Sequence, residues 1–436
     1  MESKNLKEFV CMRKYARYKD SGISWIGDVP EHWDVRYLFQ KVREHYISNK
    51  EVHHQNLLSL SYGRIIQKDI NKTEGLLPES FDTYQIVENG NIVLRLTDLQ
   101  NDHKSLRVGL VTQEGIITSA YECLEVFDNS LLPVYLYYQL HSFDIKKMFY
   151  GMGGGLRQNL NYNELKKIRM VVPPLPEQKA IAEYLDKKTA QINELVSAKQ
   201  KQIELLKEYK QSVIANAVTG KLDERREKRK WKDSGISWIG KIPENWEIKR
   251  VASFFDENKV LNKDFVFKKA YQFKFGSLVM KNEVGDEKEY EETYVKYTVL
   301  NKNDIVLNGL NLNYDFVSQR VAICPAPGII TSAYIAMTPR KTVEAMYYLW
   351  LFKTMDNKKM LHGMGSGIRL TLSFSDMKNQ RIPVPPLSEQ KEIVSYIEKK
   401  VSSIDSQIAS IENQIANLNE YKQSLISDVV TGKVKV

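Results

Sequence analysis

Residues 19–33 read KDSGISWIGDVPEHW and residues 232–246 read KDSGISWIGKIPENW, identical at twelve of fifteen positions and 213 residues apart. Self-similarity at a fixed offset decides architecture before any local pattern does, so the rest of the chain is read against it. GIITSAY at 115–121 returns at 328–334, and Arg107-Val108 returns as Arg320-Val321, at the same offset. Beyond these the offset drops by one: GMGGGLR (151–157) with GMGSGIR (363–369), VPPLPEQK (172–179) with VPPLSEQK (384–391), and EYKQSVIANAVTGK (208–221) with EYKQSLISDVVTGK (420–433). Collinear matches of this kind identify a tandem duplication of a unit of about 212 residues. Residues 34–90 and 247–303 share little beyond a few apolar positions and the glycines Gly63 and Gly276, so the copies keep a scaffold and differ in what they present.

Each copy divides into a globular part and a long helix. Short runs such as NIVLRL (91–96) and DIVLNGL (304–310) have strand character, and PVYLYYQL (133–140) and AMYYLWLF (345–352) are expected as core helices. Asn161 with Glu164, and Ser373 with Asp376, have capping-box spacing and predict a short helix after each glycine-rich loop. From Glu177 and Glu389 no proline or glycine intervenes until Gly220 and Gly432, which predicts two uninterrupted helices. Ile181, Leu185, Ile192, Leu195, Leu206, Tyr209 and Val213 form an expected apolar seam in the first, with Lys188, Lys199 and Gln202 interrupting it. Ile393, Ile397, Ile404, Ile411, Leu418, Tyr421 and Leu425 form the seam of the second. The expected fold class is α+β: two pseudo-symmetric globular domains separated by a long antiparallel two-helix coiled coil. The boundaries read from sequence are 1–172, 173–222, 223–384 and 385–436, with a basic connector RREKRKWK at 225–232 taken as solvated.

Composition narrows the chemistry. The 436 residues carry 63 Lys+Arg against 54 Asp+Glu, a net charge of +9 that favours a polyanionic partner. Three scattered cysteines, with neither CxxC nor HExxH, predict no metal site and a reduced chain. MESKNLKEFVCMRKYARYK has no apolar stretch of a signal peptide, and the expected location is the cytoplasm. GMGGGLR lacks the GK[ST] of a phosphate-binding loop, and no Asn-Pro-Pro-aromatic or Asp-Pro-Pro-aromatic tetrapeptide of amino-methyltransferases occurs. No catalytic constellation emerges, so the chain reads as a binding protein. Outside the shared scaffold, Arg64, Gln67 and Lys68 in the first copy and Lys274, Lys281 and Asn282 in the second are candidates for base contacts. Arg95, Lys104, Arg107, Arg157, Gln158, Arg320 and Arg369 lie at or beside repeated motifs and are candidates for phosphate contacts.

These motifs together resemble the specificity subunit of type I restriction–modification systems, over essentially the whole chain. The residues that carry the resemblance are KDSGISWIGDVPEHW and its copy, the GIITSAY pair, the GMGGGLR and GMGSGIR loops, PPLPEQKAIAEYLDKK with PPLSEQKEIVSYIEKK, and the repeated EYKQS…VTGK ends. The resemblance implies that each globular part is a target recognition domain for one half of a bipartite, asymmetric sequence in double-stranded DNA. It also implies that the paired helices set the unread spacer and dock two modification subunits. Those partners would bind S-adenosylmethionine and methylate adenine, restriction subunits would complete the complex, and this chain would hold no cofactor and catalyse nothing. The rival readings are a duplicated coiled-coil protein-binding adaptor without DNA recognition, and an enzyme whose site carries no recognisable motif.

Overall fold

A computed structural model of the chain describes residues 13–69, 80–102, 105–152, 159–222, 230–281, 287–365, 367 and 370–436. Its helices are α1 (Pro133–Ile145), α2 (Tyr162–Leu165), α3 (Leu175–Val218), α4 (Glu287–Tyr294), α5 (Ala345–Asn357), α6 (Phe374–Met377) and α7 (Leu387–Val430). The chain forms two compact units, Met1–Lys199 with Asn413–Val436 and Gln200–Glu412. The division therefore falls inside both long helices rather than at their starts.

In the first unit a four-stranded antiparallel sheet runs in the spatial order Val108–Leu110, Ile92–Leu94, Glu122–Val126, Val42–Glu44. In the second, Val321–Ile323, Ile305–Leu307, Ile335–Pro339 and Phe255–Glu257 repeat that order. The three-residue runs Ile92–Leu94 and Ile305–Leu307 are buried at every position, as the centre of a sheet covered on both faces requires. On one side lie the core helices α1 and α5, whose buried aromatics include Tyr135, Tyr347, Tyr348 and Phe352. The capping boxes at Asn161/Glu164 and Ser373/Asp376 are formed and open α2 and α6.

The tryptophans of the opening repeat fasten the globular part to the helix that follows it. Trp33 is fully buried and its indole N–H donates to Glu177 Oε2 at 3.0 Å; Trp246, also fully buried, donates to Glu389 Oε2 at 3.1 Å. Glu177 also accepts from the Tyr15 hydroxyl (2.8 Å) and lies 2.6 Å from His32 Nε2. Burial pushes the Glu177 carboxyl up, but its hydrogen bonds from His32, Trp33 and Tyr15 outweigh this and leave it below the ordinary carboxylate value.

Each unit completes its core with the end of the other copy's helix. Leu425, Ile426, Val429 and Val430 of α7 share the first core with Trp33, Leu185 and Ile192, while Ile214, Ala217 and Val218 of α3 share the second with Trp246, Ile393 and Ile397. The start of one long helix thus packs beside the end of the other in each unit, which is antiparallel pairing. Gly432 (φ +73°) turns the chain out of α7 against Pro30 and Trp33, where a Cβ would come within 2.3 Å of Pro30 Cδ. The C-terminal tail then pairs with the opposite end of the chain: the Lys435 N–H donates to Arg13 O at 2.8 Å, and the Tyr18 hydroxyl to Gly432 O at 3.1 Å.

Most of the expected seam is buried, including Ile181, Leu185, Ile192, Val213, Ile393, Ile397, Ile404, Ile411 and Leu425, while Leu206, Leu418 and Tyr421 are half-buried. Leu195 and Tyr209 are not part of it, being 51% and 54% exposed. The stripe instead passes through Val196, Ile203 and Lys210, each one position from an expected place, and through Lys199, one of the expected interruptions. Lysines hold these places because their ammonium groups reach polar partners: Lys199 donates to Gln414 and Lys210 to Asp405 at 2.7 Å. On α7, Lys422 occupies a comparable place and donates to Asn193 Oδ1 at 2.9 Å.

Candidate nucleic-acid interface

Each unit presents a β-hairpin drawn from the stretch that diverged between the copies. In the first, Leu58–Ser61 pairs with Arg64–Gln67 around the two residues Tyr62 and Gly63; in the second, Tyr271–Lys274 pairs with Ser277–Met280 around Phe275 and Gly276. A two-residue connection that matches right-twisted strands takes, in its type I′ form, left-handed backbone at both central positions. Tyr62 (φ +46°) and Gly63 (φ +76°) adopt it, as do Phe275 (φ +46°) and Gly276 (φ +73°). Glycine takes this conformation freely, whereas a tyrosine or phenylalanine is placed there at a cost of roughly 1–2 kcal/mol. Both copies bear that cost and hold the ring in water, with Tyr62 81% and Phe275 79% exposed. The turns are tied down from behind by the core helices: the Tyr137 hydroxyl donates to Gly63 O at 3.3 Å, and the Lys353 ammonium to Gly276 O at 3.0 Å. Burial pushes the Lys353 ammonium down, with Lys210 adding to the effect; in the first unit burial drives the imidazole of His141, beside Gly63, down to about 4.

Beside each hairpin lies a loop built around one arginine. Arg107 Nη1 donates to the carbonyls of Arg95 (3.0 Å) and Thr97 (2.9 Å), and Nη2 to those of Asp98 (3.3 Å) and Asp102 (2.7 Å). Arg320 does the same in the same register, from Nη1 to Asn308 (3.2 Å) and Leu310 (2.8 Å) and from Nη2 to Asn311 (3.4 Å) and Asp315 (2.8 Å). The backbone N–H of each arginine donates to a core-helix carboxylate, Asp144 or Asp356, at 2.6 Å. A planar five-donor fork suits this task, since it satisfies carbonyls spread around a loop at once. In the second loop Asp315 Oδ1 also accepts from the N–H groups of Val317 (3.0 Å) and Ser318 (2.9 Å), which hold its carboxyl down to about 2. Hairpin and loop adjoin: a Cβ on Gly63 would sit 3.1 Å from Leu106 Cβ, and one on Gly276 would sit 2.5 Å from Gln319 Cγ.

The candidate contact residues separate on these elements. Arg64 and Gln67 lie on the outgoing strand of the first hairpin with Lys68 just after it, all exposed. Lys274 ends the incoming strand of the second hairpin and is exposed; Lys281 follows that hairpin, half-buried, with its ammonium 5.9 Å from the Tyr294 ring. Arg95 is partly exposed and 3.7 Å from the Asp102 carboxylate. Arg107 and Arg320 are a correction. Their side chains are 0% and 2% exposed and their guanidinium groups are spent on loop carbonyls, so they shape the loops and do not reach a phosphate. Lys104, Arg157, Gln158, Asn282 and Arg369 lie outside the described residues. Sequence reading passed over Tyr62, Phe275, Tyr314, Phe316 and Val317. The available signal was an aromatic-glycine pair at matching positions, and an arginine repeated in both copies next to segments that differ.

No group of three or more His, Cys, Asp or Glu side chains is placed to hold a metal ion among the described residues. Among the same residues no helix is long and apolar enough to cross a membrane.

The family model described as the type I restriction modification DNA specificity domain matches residues 62–205 and 243–420. The chain is 23% identical over 433 residues to the putative type I restriction enzyme MjaX specificity subunit of Methanocaldococcus jannaschii, covering 94% of this chain and 96% of that one. It is 25% identical over 292 residues to the type I restriction enzyme EcoBI specificity subunit of Escherichia coli, covering 64% and 60% of the respective chains. In fold it resembles a chain from a structure concerned with complex assembly and conformational transition of the type I R-M system, with a TM-score of 0.66 at 14% identity. That likeness covers 92% of this chain and 98% of the other.

Proposed function

This chain belongs to the type I restriction–modification DNA specificity family, and from that premise we propose that it directs a modification complex to a bipartite, asymmetric DNA sequence, each unit reading one half. One observation carries the reading. The two units share strand order, core helices, tryptophan latches and arginine-framed loops, yet differ in the exposed hairpins and loop tips. Two unlike readers on one scaffold suit a target whose halves are unrelated, whereas a symmetric dimer selects a palindrome. The exposed Arg64, Gln67, Lys68 and Lys274, together with Lys281 and Arg95, are the described residues assigned to base edges and phosphates. The 44-residue helices α3 and α7 are each about 66 Å long and act as the ruler for the unread spacer.

In this reading two methyltransferase subunits dock on the segments that both copies repeat, bind S-adenosylmethionine and methylate adenine. Restriction subunits join that core, and the assembly works in the cytoplasm. The chain itself orients and selects. Binding of the purified chain to duplex DNA across a salt series tests the reading, because neutralising phosphates releases counterions and gives a steep negative slope. Mapping methylated adenine genome-wide in cells with and without the chain identifies the target. A flat salt response with no change in methylation refutes DNA specificity in favour of a protein-binding adaptor.

A further inference from the structure

The loop at 309–319 divides its residues by role. Positions that build the frame agree with the first copy: Leu312 matches Leu99, both fully buried, and Asp315 matches Asp102, each giving its carbonyl to the arginine. At positions that face outward in the second unit the two sequences differ. Tyr314, Phe316 and Val317 stand where the first copy has Asn101, His103 and Lys104. In the second unit these three are 75%, 54% and 94% exposed, an apolar cluster held in water on a backbone fixed from within. Phe316 is further oriented by stacking on His362, with ring centroids 4.8 Å apart and an interplanar angle of 17°. His362 itself lies with Nε2 3.0 Å from Asp315 O.

A surface that docked the same partner on both units would carry the same chemistry in both. A surface that reads different bases would keep its frame and change its tip. The loop shows the second pattern, and through Gln319 it abuts Gly276 at the turn of the hairpin that bears Lys274 and Phe275. We propose that the 309–319 loop is a specificity-determining element of the second unit, and that Tyr314, Phe316 and Val317 read their half-site by apolar contact in the major groove. This rests on the function proposed above. The apolar group displayed there is the thymine methyl, which selects for A·T pairs of one orientation. The internal frame supplies preorganisation, so little freedom is lost when DNA is engaged.

The test uses the full chain purified with its methyltransferase subunits. Tyr314→Ser combined with Val317→Ser leaves the arginine frame and the Phe316 stack in place. Adenine methylation by wild type and variant is mapped on a library of targets, and wild type is also assayed on duplexes with deoxyuridine in place of thymine in one half-site. The expected result is a loss of about tenfold or more in discrimination at one or two base pairs of the second unit's half-site. The other half-site is unchanged, and deoxyuridine weakens wild-type binding at those same pairs. Unaltered specificity at full activity overturns the assignment, and so does loss of methyltransferase co-purification with DNA binding intact, which would make the loop a protein dock. Insensitivity of wild type to deoxyuridine overturns it independently of how the variant folds. Absence of sequence selectivity in wild type itself would refute the DNA-specificity reading rather than the loop assignment alone.

Discussion

Replacing Arg107 by Met keeps the unbranched stem and removes the guanidinium from the first loop. Four carbonyls, at 2.7 to 3.3 Å, and the Tyr150 hydroxyl, at 2.9 Å from Nε, lose a charged donor. Hydrogen bonds to a charged donor contribute roughly 1.5–3 kcal/mol each, but a plain sum overshoots. Loop carbonyls regain water when the loop opens, and the variant no longer buries a charge. A net loss of about 3–4 kcal/mol is expected, in the range for breaking a buried ionic arrangement. For a unit of this size that corresponds to a fall in Tm of about 6–16 °C. Arg107→Lys retains charge but not the fork, and should lose about half as much. Thermal unfolding followed by circular dichroism measures the loss, and DNA affinity across a salt series measures the consequence. If Arg107→Met left Tm unchanged and reduced the magnitude of the salt slope by about one, Arg107 would be a phosphate contact and the framing argument would be wrong.

Insertion of seven residues after Lys199, matched by seven near Ile411, preserves the seam because one heptad, two helical turns, restores its phase, and lengthens each helix by about 10 Å. The methylated target should then accept a longer unread spacer; an unchanged spacer in a folded double insertion speaks against the ruler. Glu177→Gln should destabilise the first unit by about 1–2 kcal/mol at neutral pH, since the latch to Trp33, Tyr15 and His32 loses its charge. The folded carboxyl sits below its ordinary value of 4.5, so its stabilisation is present above that pH and is lost as pH falls through the folded value. Denaturant midpoints of wild type and Glu177→Gln should therefore converge on acidification, and a constant gap down to pH 2 would contradict the latch. Removing residues 1–12, joining Val436 to Arg13 through a short glycine-serine linker and reopening the chain between the two copies should give a permutant with nearly native Tm, because Lys435 and Arg13 are already paired. A collapse in Tm measured by calorimetry would show that chain order itself matters.

The duplication, the helix starts at Glu177 and Glu389, and the core helices were legible because they depend on identity and periodicity, which a sequence displays directly. The seam was misread at Leu195 and Tyr209 for a physical reason. Leu195 and Tyr209 are apolar side chains next to the stripe, whereas Val196 and Lys210 lie on it, Lys210 with its charge carried out to Asp405. Arg107 and Arg320 were misread because an arginine serves a phosphate or a ring of carbonyls with the same fork, and only burial separates the two uses. The hairpin turns escaped notice because Tyr62 and Phe275 occupy a position where asparagine or glycine is the usual signal. What remained illegible was whatever depends on which carbonyls a folded loop turns inward.

The exchange of helix ends between the two copies limits what either copy can do alone. A solitary copy would lack the segment that closes its own core, since Trp33 is covered by Gly432 and Trp246 by Gly220. A single copy produced alone would need a second copy to supply that helix end, and a symmetric pair of that kind would select an inverted repeat. With both copies in one polypeptide each core is closed within the same chain, so the hairpins and loop tips of the two copies can differ without a change in either core.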